Sequence, residues 1–155
     1  MGFKSQPTVT RANNTTAYTA GDVVGGVIEF KNFGNTLGYA LITTADLRIN
    51  VTAIPSGMTS FRLHLYRVTP SSAYVDNDAW DLPSGDRAAY AGYVDLGSPA
   101  DAGSTLYCQV DQVNKQVELS GTPGTQLFGY LVTNGGFTPA AVSEVYVPSL
   151  SGIAL

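Results

Sequence analysis

The chain has 155 residues, 44% hydrophobic and 13% charged, with a formal net charge of −4. That length and apolar content suit one domain with a real core, and the acidic balance excludes the basic footprint that nucleic-acid binding requires. Charged residues stand at about half their usual share of ~25%, so Thr, Ser, Asn, Gln and Tyr must supply a weakly hydrated surface suited to protein or sugar contact.

At the N-terminus, Met1-Gly2-Phe3-Lys4-Ser5-Gln6-Pro7 lacks the apolar core of a signal peptide, and no run reaches transmembrane length. Synthesis in a cytoplasm is the expectation, with no membrane partner. Gln6 leaves a myristoylation pattern incomplete, and without a secretory signal the sequons at Asn13, Asn14 and Asn50 are chance matches. Residues 1–16, rich in Thr and Asn and without core periodicity, read as an N-terminal arm ahead of a single domain, 17–155.

The domain opens on "AYTAGDVVGGVIEF", Ala17 to Phe30. Ala20-Gly21-Asp22 is a turn signal that delivers a strand over Val24 to Lys31. Two adjacent glycines, Gly25 and Gly26, interrupt that strand. A dinucleotide-binding fingerprint places its glycines between a strand and a helix, whereas these lie inside the strand. They predict a bulge or a close approach by a neighbouring backbone.

Strands follow over Tyr39 to Thr44, Leu47 to Thr52 and Phe61 to Tyr66, the last two with period-two alternation. That alternation places His64 on the polar face, as a surface histidine. Next comes Val75-Asp76-Asn77-Asp78-Ala79-Trp80, where Asp or Asn suits the cap of a short helix. Further strands are expected over Ala89 to Leu96, Thr105 to Val110, Gln116 to Leu119, Leu127 to Thr133 and Glu144 to Leu150. Clusters such as Ile54-Pro55-Ser56-Gly57, Ser120-Gly121-Thr122-Pro123-Gly124 and Thr133-Asn134-Gly135-Gly136 punctuate them. The pattern predicts an all-β fold, an antiparallel β-sandwich of jelly-roll type with eight or nine strands. Ile49, Val51, Phe61, Leu63, Leu65, Leu131 and Val147 are its expected core.

Residues suited to chemistry are scarce. His64 is the only histidine, and Cys108, the only cysteine, sits in a strand as a buried thiol, which excludes an intrachain disulfide. Zinc sites therefore lack ligands. Asp76, Asp78, Asp81 and Asp86 surround Trp80 and admit three readings: turn and helix caps, a calcium loop, or the paired carboxylates of a sugar hydrolase. Asp76-Asn77-Asp78 lacks the following Gly and distal Glu of an EF-hand. No catalytic, cofactor-binding or metal residue is assigned, no cofactor is expected, and calcium at Asp76–Asp86 stays open. Tyr90, Tyr93, Tyr107, Tyr130 and Tyr146 either fill a core or anchor an interface.

Three stretches together resemble small structural proteins of tailed-bacteriophage virions. They are Ala17 to Phe30, the Gly38-Tyr39-Ala40-Leu41 to Leu47 segment, and "RLHLYRVTPSSAYVDNDAWDLPSGDRAAYAGYVDL", Arg62 to Leu96. In the last, a strand ends in Pro, then come Asp-Asn, an aromatic, a second Asp and a closing strand. The resemblance implies a capsid decoration, or cement, protein with a jelly-roll fold. Its partners would be the major capsid protein and itself, as a trimer or dimer, and its place the capsid exterior, after synthesis in the host cytoplasm. It transfers no site residue. A tail or adsorption component and a carbohydrate-binding or hydrolytic β-sandwich are the alternative readings.

Overall fold

A computed structural model describes residues 1–34, 37–121 and 124–155. Residues 122 and 123 of the Ser120–Gly124 turn signal lie outside them. Among the described residues the fold is all-β: eleven strands in two antiparallel sheets that form a sandwich, with a single 3₁₀ turn at Ser84–Asp86. The strands are β1 (Gly2–Ser5), β2 (Val9–Thr10), β3 (Val23–Phe30), β4 (Tyr39–Ile49), β5 (Phe61–Tyr66), β6 (Tyr90–Gly97), β7 (Ala100–Asp101), β8 (Leu106–Val110), β9 (Lys115–Glu118), β10 (Leu127–Thr133) and β11 (Val145–Ala154). The smaller sheet runs β3-β10-β5-β6. The larger runs β1-β11-β4-β8-β7, with β2 also on β11 and β9 also on β4. The chain changes sheet at β2→β3, β3→β4, β4→β5, β6→β7, β9→β10 and β10→β11, the winding of a jelly-roll-type sandwich.

Alternation fills the space between the sheets. Phe61, Leu63 and Leu65 of β5 are fully buried, as are Ile42, Leu47 and Ile49 of β4. The expected core residues Ile49, Val51, Phe61, Leu63, Leu65 and Leu131 are all buried. Val147 is half-buried on the other side of β11, and Tyr146 and Leu150 point inward in its place. Both alternate sets of that strand are apolar at its start, so periodicity alone did not choose between them.

The strands expected over Tyr39 to Thr44 and Leu47 to Thr52 are one continuous strand, β4, and the strands not expected are the short β1, β2 and β7. Gly2–Ser5 pairs antiparallel with β11, and Val9–Thr10 pairs with Val145–Tyr146. The stretch expected as an arm thus contains ladder residues, with Phe3 packed on Phe33 at 4.8 Å between ring centroids and Arg11 buried. The expected helix near Val75 to Trp80 is a turn. Asn77 has φ 73°, which an α-helix does not permit, and Asp78 caps the turn by accepting a hydrogen bond from the Val75 N–H at 2.9 Å.

Gly25 and Gly26 form the predicted bulge. The β3–β10 register runs Tyr130↔Val27 and then Leu131↔Val24, so both glycines are extra. Their φ values of 90° and 118° are hard for any other residue to adopt, and a Cβ on Gly25 would run into the Val9 side chain.

Candidate functional site

The outer face of the smaller sheet carries the residues weighed for chemistry. Residues 67–89, between β5 and β6, fold back over it and bury a second apolar cluster there: Tyr66, Tyr130, Val23, Ala89 and Val132, flanked by Tyr74, Trp80 and Tyr90. An Arg67 N–H to Ala89 C=O bond of 2.7 Å closes the base of this connection. Isolated bridges Asp22↔Ala79 and Gly26↔Val75 lay it along β3, which is an edge strand of its sheet. Covering that edge removes a row of unpaired backbone groups.

His64 belongs to this layer, and its expected surface position is corrected. It does leave the inner core, as alternation requires, but it is only 3% exposed because Trp80 lies flat on its ring, 3.6 Å between centroids at 12°. Its Nδ1 is 2.8 Å from the Tyr90 hydroxyl. Burial, with the nearby Arg62 charge, lowers the imidazole pKa to about 4, so the ring is neutral at pH 7. The Trp80 indole N–H donates to the Tyr66 hydroxyl at 2.9 Å, and the Tyr74 N–H donates to the Tyr130 hydroxyl at 3.1 Å. Trp80 anchors a connection to a sheet by one stack and one hydrogen bond.

The four aspartates do not converge. Asp86 is buried and accepts from the Ser71 N–H at 2.7 Å, the Ser71 hydroxyl at 2.6 Å and the Ser72 N–H at 3.2 Å. Burial alone would raise its pKa, but these hydrogen bonds outweigh it and hold the carboxyl below the usual range. Asp78 caps its own turn, and Asp81 is exposed. Asp76 accepts from the Gly25 N–H at 2.8 Å, a donor that the bulge has released from the ladder. It also accepts from the Tyr18 hydroxyl at 2.6 Å and faces Arg11 at 3.7 Å. Among the described residues, no three of His, Cys, Asp or Glu are grouped to hold a metal ion.

Arg11, Tyr18 and Asp76 make a buried polar clamp. The Arg11 Nε–H donates to the Tyr18 hydroxyl, and its Nη1 reaches the carbonyls of Asn14 and Ala141 at 3.2 and 3.4 Å. Burial and the Asp76 carboxylate push the Tyr18 hydroxyl far up, so it stays protonated and donates to Asp76. Three segments distant in sequence meet here. The composition of residues 1–16 did not reveal the clamp, although Arg11 is their one arginine and, with Lys4, one of only two cations among them. Cys108 is buried between the sheets, and burial raises its thiol pKa to about 12, which makes it inert.

The tyrosines divide by face. Tyr66, Tyr130 and Tyr146 are fully buried, Tyr90 is half-buried, and Tyr93 is 47% exposed, with the Arg62 guanidinium 4.0 Å above its ring. Arg62 also pairs with Asp95 at 2.7 Å, an exposed contact of little energetic weight.

A different surface gathers several of the exposed apolar side chains. Ile153 pairs with Leu41, and the Leu155 N–H donates to the Tyr39 carbonyl at 3.0 Å. The intervening Ala40 and Ile42 are fully buried, so Tyr39, Leu41, Ile153 and Leu155 share the outward face of the larger sheet. Tyr39, Ile153 and Leu155 are each more than 40% exposed, and Leu37 and Met1, bonded to the same strand end, are more exposed still. This stripe was not legible in the sequence, because its members come from two segments more than a hundred residues apart.

No family model matches the chain, and no curated protein matches it. Similar solved structures include the crystal structure of FLHE, at 9% identity and a TM-score of 0.38, covering 99% of this chain and 96% of that one. The native virion of Kashmir bee virus at neutral pH follows, at 14% identity and a TM-score of 0.32, covering 99% and 70%. Infectious bursal disease virus, Gx strain, is similar at 14% identity and a TM-score of 0.34, covering 96% and 31%. All three are too distant to assign a role to this chain.

Proposed function

We propose that the chain is a virion structural protein, a bacteriophage head decoration protein that binds the outer capsid surface and stabilises the expanded shell. The observation that carries this reading is the outward stripe of Tyr39, Leu41, Ile153 and Leu155 on a sandwich whose His64, Asp76 and Asp86 are spent on internal contacts. Exposed apolar residues gathered on one face suit a contact surface. The low charge of the whole chain supports it, since hydroxyls and amides cost less to desolvate than charges when they find partners. The resemblance to small virion proteins of tailed phages points the same way.

Stabilisation would be mechanical. A protein that binds the expanded shell and not its compact precursor shifts the shell toward the expanded form by mass action. Many copies act together, so each contact can be modest. An apolar attachment face predicts binding that weakens little between low and moderate salt.

The test mixes purified protein with undecorated expanded heads and with compact precursors, then measures occupancy and resistance of the heads to heat. Saturable binding to expanded heads, with a raised disruption temperature, is the expected result. Absence of binding, or binding without gain in heat resistance, rejects the decoration role in favour of a tail or adsorption component.

A further inference from the structure

We infer that the open edge of β1 pairs with the same edge of a second copy of this chain, about a two-fold axis. Strand β1 ends the larger sheet, with no strand beyond it among the described residues. The Ala154 N–H donates to the Met1 carbonyl at 2.8 Å, which fixes the phase of the ladder. Hydrogen-bonded and non-hydrogen-bonded pairs alternate in an antiparallel ladder, so Phe3 and Ser5 bond β11. The backbone N–H and C=O groups of Gly2 and Lys4 therefore point away from β11, toward the open side.

Three two-fold registers use those groups, and charge selects among them. Gly2 opposite Gly2 of the second copy forms one bonded pair only. Lys4 opposite Lys4 sets like charges face to face, which is unfavourable. Gly2 opposite Lys4 forms two bonded pairs and opposes no like charges. Such isologous pairing makes one continuous sheet from the two larger sheets.

Side chains favour the same register. Gly2 pairs with Ile153, and its missing side chain leaves a gap where the apolar stripe meets the edge. In the chosen register the partner's Lys4 lies across that gap. Its aliphatic stem covers Ile153, 44% exposed in the single chain, while the ammonium stays in water. The second copy thus covers the end of the stripe as well as the open edge. The pairing deepens the decoration reading, on which its biological setting rests, and its chemistry is independent of any capsid.

Sedimentation equilibrium of the full chain over a wide concentration range tests it. A dimer is expected. Lys4→Pro removes an outward N–H that β11 does not use, so the fold should survive, by circular dichroism, while the dimer is lost. Ile153→Asp, an exposed position, should raise the dimer dissociation constant by about tenfold or more. A monomeric wild type overturns the inference, as does a dimer constant unchanged in both variants. Head binding is read separately: a dimer that ignores heads sinks the decoration reading and leaves the pairing intact.

Discussion

His64 is neutral because Trp80 and the connection above the smaller sheet keep water away from it. Its pKa of about 4 in the folded chain lies below its ordinary 6.5. Between those values the unfolded chain binds a proton that the folded chain refuses. Stability from this residue is therefore complete above pH 6.5 and declines as pH falls toward 4, by on the order of 2–3 kcal/mol. The groups facing the ring are Arg62 on its own strand, Asp95, Tyr90 and Tyr93 on β6, Tyr130 on β10, and Trp80. Comparing denaturation free energies of the wild type and His64→Phe from pH 4 to 7 isolates the effect, because carboxylate titrations are common to both. The variant should show the shallower slope; equal slopes would reject the buried, stacked histidine.

Elements here are joined by residues that look incidental in the sequence. The bulge at Gly25-Gly26 bends β3 and frees one N–H, and Asp76 takes that N–H from the connection on the outer face. Asp76 in turn holds Tyr18 and stands near Arg11, so one carboxylate joins the bulge, the approach to β3 and the N-terminal segment. Such a buried charge network is costly to break at one member only. Gly25→Val forces a side chain into Val9 at a positive φ and should destabilise the fold by about 1–3 kcal/mol, with no ligand involved. Chemical denaturation measures it, and an unchanged midpoint would mean that the bulge does not need its glycine.

For the molecule as a whole, the status of the N-terminal segment decides how the sandwich is closed. An arm that orders only on a partner contributes nothing to the isolated fold, whereas a ladder strand does. Phe3 is 8% exposed and packed against Phe33, and β1 bonds β11. Removing residues 1–5 should therefore cost roughly 3 kcal/mol, equivalent to about 6–12 °C in melting temperature for a domain of this size. Calorimetry gives the answer directly, and an unshifted transition would restore the arm.

Local chemistry made much of this legible in advance. Period-two alternation depends only on the pleat, so the inward set of Phe61, Leu63 and Leu65 and the all-β class followed from the chain itself, as did the glycine bulge, since few other residues tolerate its backbone. Alternation says which face a residue takes but not what covers that face. His64 was rightly set off the inner core and wrongly left in solvent, because residues 67–89 return over the sheet through contacts that no local pattern encodes. The same holds for residues 1–16, whose short strands find partners at the far end of the chain, and for the apolar stripe, assembled from β4 and β11. Periodicity is a property of neighbours along the chain; burial of an outer face is a property of neighbours in space, and only the tertiary structure decides it.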